Sequence, residues 1–500
     1  MFSKKQYHVN KNPSMKQQQE QQTPASPRES LILQIYLPFL VFLDVMSVTL
    51  VIPLLHQYYK DAGMIHTTQR EMLNSIYSSC QIVGGLTLGA LNDSGILTPW
   101  TTLINLSFLG SSISYFLLAL SIQTTHHDVV LRNQQSSSLY LLISSRIVVG
   151  FVKQTITMTT AIVSQYTTTE NRSKYLGRLS VARTLASIVG PSLGAFLYHT
   201  IGRSIPVWIA SLIFLINFFL AKILLSKHIT ASSSSYDITI ASKHMNTSLK
   251  EVREETYPST TESKNTITNM RYTWRRKVSS LVQNVYTTFQ SKSLKSVLLS
   301  SLLYTFISSA TSYANMTSYY EDMYGIQPYQ RGYLSSYQSI WTLFIQTFFV
   351  HPLLKKLGGE AIATCIAAGV LTLITLAEIK SNLTLFLLGI CPILAFCTSI
   401  LSLSIRTLVT QVTPKSSFSS VLATLDVLTN AVAVLVPFYR AMLFRFMGCF
   451  PRMVENSNTC LKGDPTPFMW LVSSGVHWMF TTITLYFLLI HNQYRNLKEE

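Results

Sequence analysis

The chain has 500 residues, of which 48% are hydrophobic and only 12% are charged. Soluble globular proteins carry about 25% charged residues, so the composition excludes an ordinary soluble multidomain protein. Of the 61 charged residues, 23 lie in residues 1–30 and 226–295, which leaves 38 for the other 400 positions. Those 400 positions are expected to lie in a membrane.

The net charge of +17 does not point to nucleic acid. The same two polar segments carry +9 of it, and the rest is scattered singly between apolar runs. A nucleic-acid-binding face would concentrate its cations, whereas cytoplasmic loops of membrane proteins carry a basic excess. The lipid bilayer is therefore the expected environment, and nucleic acid is not an expected partner.

Twelve apolar runs are long enough to cross a bilayer, and we call them spans 1 to 12. Residues 1–30, which precede them, are polar and predict a disordered cytoplasmic tail without a cleaved signal. Backbone amides in lipid must be paired, so each span is predicted to be helical. The predicted spans are 31–55, 72–91, 99–122, 138–162, 175–198, 204–225, 294–315, 332–354, 360–379, 383–405, 417–439 and 467–491.

A polar segment at 226–293 divides the spans into six and six, and its low apolar content predicts a mostly disordered cytoplasmic loop. The two halves, 31–225 and 294–491, have nearly equal lengths, as in carriers built from parallel six-span repeats. Residues 492–500 are predicted to form a second tail. The predicted fold is therefore an all-α membrane protein of two six-helix bundles, related by a pseudo-two-fold axis along the membrane normal.

The segments between spans predict the orientation. Those on the side of the termini hold 23 Lys and Arg, against ten on the other side. This ratio predicts a multi-pass protein with both termini in the cytoplasm. One predicted outer loop, 440–466, departs from the trend with four basic residues.

Charges inside spans are candidate functional groups, because each costs about 2.5–3.5 kcal/mol to insert. Asp44 lies in the middle of span 1, and Arg146 and Lys153 share one stripe of span 4. Asp44 must be protonated or paired with a cation, and Arg146 is the predicted partner. We expect Asp44 to exchange a proton as the protein changes conformation; the alternative is a fixed structural ion pair.

Several short motifs combine glycine with a charged residue or with proline. The motif residues are Gly89 and Asp93 at the end of span 2, Arg146 and Gly150 in span 4, Gly190, Pro191 and Gly194 in span 5, and Lys356 and Gly358 after span 8. Together these motifs resemble the major facilitator superfamily, in particular an orphan branch near the tetracycline-resistance-like exporters. The turn after span 2 departs from the family pattern, because its spacing is one residue short and its basic positions are missing.

The resemblance implies a secondary transporter of a small organic solute that works by alternating access and is coupled to protons, with antiport favoured over symport. It also implies that the acid of span 1 faces the arginine of span 4. The Gly190-Pro191 motif is associated with antiporters in this superfamily, but a glycine–proline kink serves helix packing equally well. The alternative function is a receptor or scaffold with a carrier fold that no longer transports.

Candidate residues for the solute cavity come mainly from the second half. Hydroxyls beside aromatic rings suit a cavity for an uncharged or cationic amphiphile, although they also pack helices together. Glu378 is expected to reach water from a helix end, and Arg183 is expected to pair structurally. The cavity candidates are Tyr304, Ser308, Tyr337, Gln338, Asp426, Asn430 and His477.

Cys449 and Cys460 both fall in the last predicted outer loop and are expected to form a disulfide. No phosphate loop, metal cluster or catalytic constellation stands at useful spacing, so neither an enzyme nor a cofactor is expected. The expected partners are a small solute, protons and lipid, and the chain is expected to be monomeric.

Overall fold

The computed structural model describes residues 32–64, 67–93, 100–127, 135–166, 169–224, 283, 292–311, 319–357, 359–413, 418–453 and 466–491. Helices occupy most of these ranges. The two predicted tails and nearly all of the predicted central loop lie outside the described residues.

Helices occupy all six predicted spans of the first half. Span 1 begins with a π-helical turn at Ile32–Tyr36, and span 4 is interrupted at Lys153 and Gln154, a break that the sequence did not predict. The helices are Leu37–Asp61, Thr67–Asp93, Trp100–His127, Gln135–Val152 with Thr155–Tyr166, Thr169–Thr200, and Ile205–Leu224.

Helices also occupy the six predicted spans of the second half. A short additional helix, Tyr319–Tyr324, lies between spans 7 and 8. Among the described residues, nine helices are long and apolar enough to cross a membrane, and those of spans 2, 7 and 8 fall short of that standard. The span helices are Lys292–Ala310, Gln330–Phe348 with Val350–Lys356, Glu360–Ala377, Leu383–Val412, Phe418–Met453, and Pro467–Leu485 continuing to His491.

Span 11 is longer than predicted. Its helix runs for 36 residues, to Met453, whereas the sequence analysis placed a loop from Arg440 onward. The residues after Arg440 are strong helix formers, including Ala441, Met442 and Leu443. The apolar span Val427–Met447 includes Arg440 and Arg445, so two of the four basic residues of the predicted loop lie within span 11.

The packing of the spans follows a two-fold pattern. Each half has its own apolar core. Spans 1 and 5, 2 and 4, and 3 and 4 pack together in the first half, and each pair has its counterpart six spans later. Spans 2 and 11 meet across the halves, as do spans 5 and 8, and exchanging the halves converts one pair into the other. This is the arrangement expected of parallel repeats.

Small residues bring spans 1 and 5 close together. A Cβ atom added to Gly194 would overlap the Leu50 carbonyl, and one added to Gly190 would overlap Thr49. The Thr49 hydroxyl also donates to the carbonyl oxygen of Ala186 at 3.1 Å. The span 5 motif therefore brings the backbones of spans 1 and 5 into close approach.

The other motif residues have different surroundings. Gly150 packs span 4 on span 2, where an added Cβ would lie 2.7 Å from the Tyr77 carbonyl oxygen. Gly89 and Asp93 belong to the last turns of the span 2 helix, but their surroundings lie outside the described part of the structure. Lys356 is exposed at the end of span 8, and Gly358 is not among the described residues.

Large apolar side chains cover the outside of the bundle. Leu373 and Met442 are each 68% exposed, and Leu388 is 75% exposed. Water would make such a surface unstable, whereas lipid chains solvate it. Together with the spans, this surface identifies an integral, multi-pass membrane protein.

Candidate functional site

A cavity of about 350 Å³ lies between the two halves. Spans 1 to 4 contribute most of its wall, and spans 7 and 11 complete it from the second half. Its apolar lining includes Val48, Ile52 and Leu55 of span 1, Val149 of span 4, and Val436 of span 11. A partly apolar cavity of this size at a domain interface is typical of a small-molecule site.

The halves meet on the side of the bundle where span 1 ends, at Asp61, and span 2 begins, at Thr67; we call it the closed face. Here Arg440 Nη2 lies 2.8 Å from the Glu71 carboxylate, and both side chains are buried. The Ser75 hydroxyl donates to the Val434 carbonyl oxygen at 3.1 Å. An ion pair and a hydrogen bond therefore connect spans 2 and 11 across the halves.

Spans 5 and 8 meet at the same face, but through small residues. Gly332 packs against Pro191 and Ala195 so closely that an added Cβ would overlap them. The Ser192 amide donates to the Ser336 hydroxyl at 3.0 Å. Nearer the surface, Glu321 of the short helix lies 3.5 Å from Lys60 of span 1 and 2.9 Å from Arg331 of span 8.

The sequence did not predict the ion pair between Glu71 and Arg440. Both residues stand beside predicted span ends, where charges are common and inexpensive. The available signal was the apolar run that continues past Arg440 to Met447, since it indicates that the helix extends and that Arg440 lies within it.

Asp44 forms a buried ion pair with Lys153. The Asp44 side chain is 1% exposed, and the Thr155 hydroxyl donates to the same carboxylate oxygen at 3.3 Å. The predicted pairing with Arg146 is therefore wrong. The break in span 4 places Lys153 and Thr155 together at Asp44, whereas Arg146 lies two helical turns away along the same stripe.

Arg146 points elsewhere and lines the cavity. The residue is 6% exposed, and its guanidinium carbon lies 5.9 Å from the centre of the Tyr115 ring. Its Nε and Nη2 atoms are buried without a hydrogen-bond partner within the described residues. Span 4 thus carries one cation that is neutralised by Asp44 and one that is not.

The candidates from spans 7, 8 and 12 serve mainly as packing groups. The Tyr337 hydroxyl donates to the Leu387 carbonyl oxygen at 2.7 Å, and Tyr304 reaches the Thr398 carbonyl oxygen at 3.5 Å. His477 contacts the Tyr439 hydroxyl and the Ser473 carbonyl oxygen. The described cavity lining includes Ser309 in place of the predicted Ser308, and it does not include Tyr304, Tyr337, Gln338 or His477.

Several other predictions concern residues that the structure describes only in part or not at all. The Asp426 side chain lies outside the described part of the structure, while Asn430, one turn later, is exposed. The predicted disulfide cannot be placed, because Cys460 and the side chain of Cys449 also lie outside it. The cysteines with described side chains, Cys80, Cys365, Cys391 and Cys397, are free.

Glu378 differs from its prediction, because it is completely buried and does not reach water. The Tyr319 and Tyr324 hydroxyls donate to Glu378 Oε1 at 2.7 and 3.2 Å. Burial, together with the nearby Glu378 carboxylate, raises the pKa of the Tyr324 phenol, so this phenol stays protonated and remains a donor. The cluster fixes the short helix against the end of span 9.

Solved transporters share this fold. The human organic anion transporter MFSD10 (TETRAN) aligns with a TM-score of 0.56 and 17% identity, covering 92% of this chain and 100% of that one. The peptide transporter POT, solved with sulfate, aligns with a TM-score of 0.60 and 13% identity, covering 95% and 97%. At these identities the likeness shows the fold alone.

Curated relatives are similar over a shorter stretch. The class H tetracycline resistance protein of Pasteurella multocida is 26% identical over 159 residues, and the class B protein of Escherichia coli is 25% identical over 181 residues. The matches cover 31% and 36% of this chain, and 35% and 40% of the relatives. The Major Facilitator Superfamily model, by contrast, matches residues 37–437. The chain therefore belongs to the Major Facilitator Superfamily.

Proposed function

We propose that this protein is a secondary transporter that moves a small organic solute by alternating access. The observation that carries the proposal is a cavity between two pseudo-symmetric halves that contact each other on one face. Separating the halves at that face, while they meet at the other, would expose the cavity to the opposite side of the membrane. The basic excess on the side of the termini makes the closed face the outer one, so this conformation is directed toward the cytoplasm.

Proton coupling is assigned to the Asp44–Lys153 pair. Protonation of Asp44 would leave Lys153 without its counter-charge. The free-energy cost of this change would differ between the conformation that opens to one side of the membrane and the conformation that opens to the other. A ligand or proton shifts a conformational equilibrium only through such a difference. Antiport is favoured over symport by the span 5 motif formed by Gly190, Pro191 and Gly194.

Uptake into proteoliposomes tests this function. The purified full-length chain should accumulate at least one member of a panel of anionic, neutral and cationic solutes, and a pH gradient should increase the accumulation. Asp44→Asn should abolish the effect of the gradient. Asp61→Asn is the matched control, because Asp61 lies on the same helix and accepts from Gln57 at its end, at 2.8 Å.

Two outcomes would contradict the proposal. If no solute is accumulated under any gradient, the chain is not a transporter. The alternative function, a receptor or scaffold with a carrier fold, is then favoured. If Asp44→Asn retains the full effect of the gradient, the Asp44–Lys153 pair is a fixed structural element, and coupling has to be sought elsewhere.

A further inference from the structure

We infer that the cavity selects a small organic anion with an apolar body, and that Arg146 binds its charged group. The inference rests on the proposed transport function and adds the charge of the solute. It starts from the charge balance of the cavity wall. Among the described lining residues there are three cations, Arg146, Lys153 and Arg440, and no carboxylate.

Two of the three cations form ion pairs with carboxylates that do not themselves line the cavity. Lys153 is paired with Asp44, and Arg440 with Glu71. Arg146 alone faces the cavity without a carboxylate among the described residues, so the described wall has a net charge of about one unit positive. An anion entering this space would be attracted by that net charge, whereas a cation would be repelled.

The burial of Arg146 strengthens the argument. A buried charge without a counter-ion and buried donors without acceptors are both costly, and folded proteins rarely keep them without a purpose. Tyr115 supplies only a weak cation–π contact. A carboxylate in the cavity would supply both the missing charge and the missing acceptor atoms.

The rest of the wall suits an apolar or aromatic body. Tyr59 and Tyr77 line the same cavity as Arg146. Val48, Ile52 and Leu55 form an apolar strip on span 1. The expectation of an uncharged or cationic solute rested on hydroxyls of spans 7 and 8, and the described cavity wall is instead built mainly from the first half.

Binding of three probes that differ only in charge tests the inference. They are 2-naphthoate, 2-naphthamide and 2-naphthylmethylammonium, titrated calorimetrically into the purified full-length chain. We expect the carboxylate to bind at least about tenfold more tightly than the amide and the cation to bind most weakly. Arg146→Gln should reduce the carboxylate preference to less than about twofold while leaving the affinity for the amide unchanged.

Two further variants control for folding and for general loss of charge. Arg146→Lys keeps the positive charge and should keep part of the preference. Arg178→Gln removes a cation from span 5, where Arg178 lies over the Tyr175 ring and does not line the cavity, and it should leave all three affinities unchanged. If Arg146→Gln loses amide binding as well, Arg146→Lys becomes the deciding variant, and loss of its carboxylate preference would overturn the inference.

The remaining outcomes separate the solute charge from transport itself. Equal affinity for the three probes, a preference for the cation, or no binding of 2-naphthoate at millimolar concentration would overturn the inference. So would an undiminished preference in Arg146→Gln. Carboxylate binding that depends on Arg146, in a protein that accumulates no solute, would support the inference and contradict only the transport proposal.

Discussion

Asp44 and Lys153 form an ion pair that joins span 1 to span 4 inside the first half, and almost none of the Asp44 side chain is exposed. In such a pair, each partner stabilises the charge of the other at a depth where neither would be stable alone. The two residues should therefore act as one thermodynamic unit.

A double-mutant cycle measures this unit. Asp44→Asn and Lys153→Gln should each lower the melting temperature, because each leaves one charge buried without its partner. The double variant should lose less than the sum of the two, with an interaction energy of roughly 1–3 kcal/mol. Thermal unfolding in detergent, monitored by size-exclusion chromatography, gives the loss of stability of the two single variants and of the double variant. Additive losses would mean that the two groups do not stabilise each other.

Glu71 and Arg440 should control the closed face. Glu71→Gln weakens the ion pair between spans 2 and 11, and we expect the halves to separate there more often. A cysteine introduced at Ser309, which lines the cavity, should then react several-fold faster with a membrane-impermeant maleimide added to the side of the closed face.

Glu360→Gln is the control for this measurement. Glu360 accepts from Gln411 at 3.1 Å on the surface, between two spans of the second half, and none of the contacts described at the closed face involves it. An equal increase in labelling for both variants would show that the effect is a general loss of stability rather than an opening of this face.

Gly194 should tolerate no side chain. Gly194→Ala places a methyl group against the Leu50 backbone, which cannot move aside as a flexible side chain would, so spans 1 and 5 must separate. We expect a loss of about 1–3 kcal/mol of stability. Gly177→Ala in the same helix meets nothing within 4 Å and should gain about 0.5–1 kcal/mol. Melting temperatures that move in the same direction for both variants would contradict the packing argument.

Tyr319 should stabilise the second half through Glu378. Tyr319→Phe removes the 2.7 Å hydrogen bond to a completely buried carboxylate, and we expect a loss of about 1.5–3 kcal/mol. Tyr333→Phe, at a position 45% exposed, removes a hydroxyl of the same kind and should have almost no effect. Equal melting temperatures for Tyr319→Phe and the parent would show that this bond adds no net stability.

The sequence could identify the fold and the unusual charges, but not their partners. Asp44 and the cations of span 4 were conspicuous because charge is rare in apolar spans. The choice between Arg146 and Lys153 depended on a helix break of two residues, which no local pattern signalled. Glu71 and Arg440 are 369 positions apart, and only the packing of spans 2 and 11 brings them together.

The role of hydroxyl side chains is a second feature that the sequence could not predict. Tyr337 was a candidate for the cavity wall and equally for helix packing, because both roles favour the same side chains. In the structure its hydroxyl donates to the Leu387 carbonyl oxygen of span 10. The residues that line the cavity instead include Tyr77 and Tyr115, which look like ordinary aromatic residues of apolar spans in the sequence, and Tyr59, which falls beyond the predicted end of span 1.

The two junctions at the closed face are related by symmetry, but they differ in chemistry. Spans 5 and 8 meet through Gly332, Pro191 and Ala195, and through a hydrogen bond between neutral groups, from the Ser192 amide to the Ser336 hydroxyl. Spans 2 and 11 meet through a desolvated ion pair, whose separation requires water to enter before the charges part. Opening is therefore expected to be asymmetric. Spans 5 and 8 can act as the pivot from the start, while the rate of opening is set by hydration of the ion pair between spans 2 and 11.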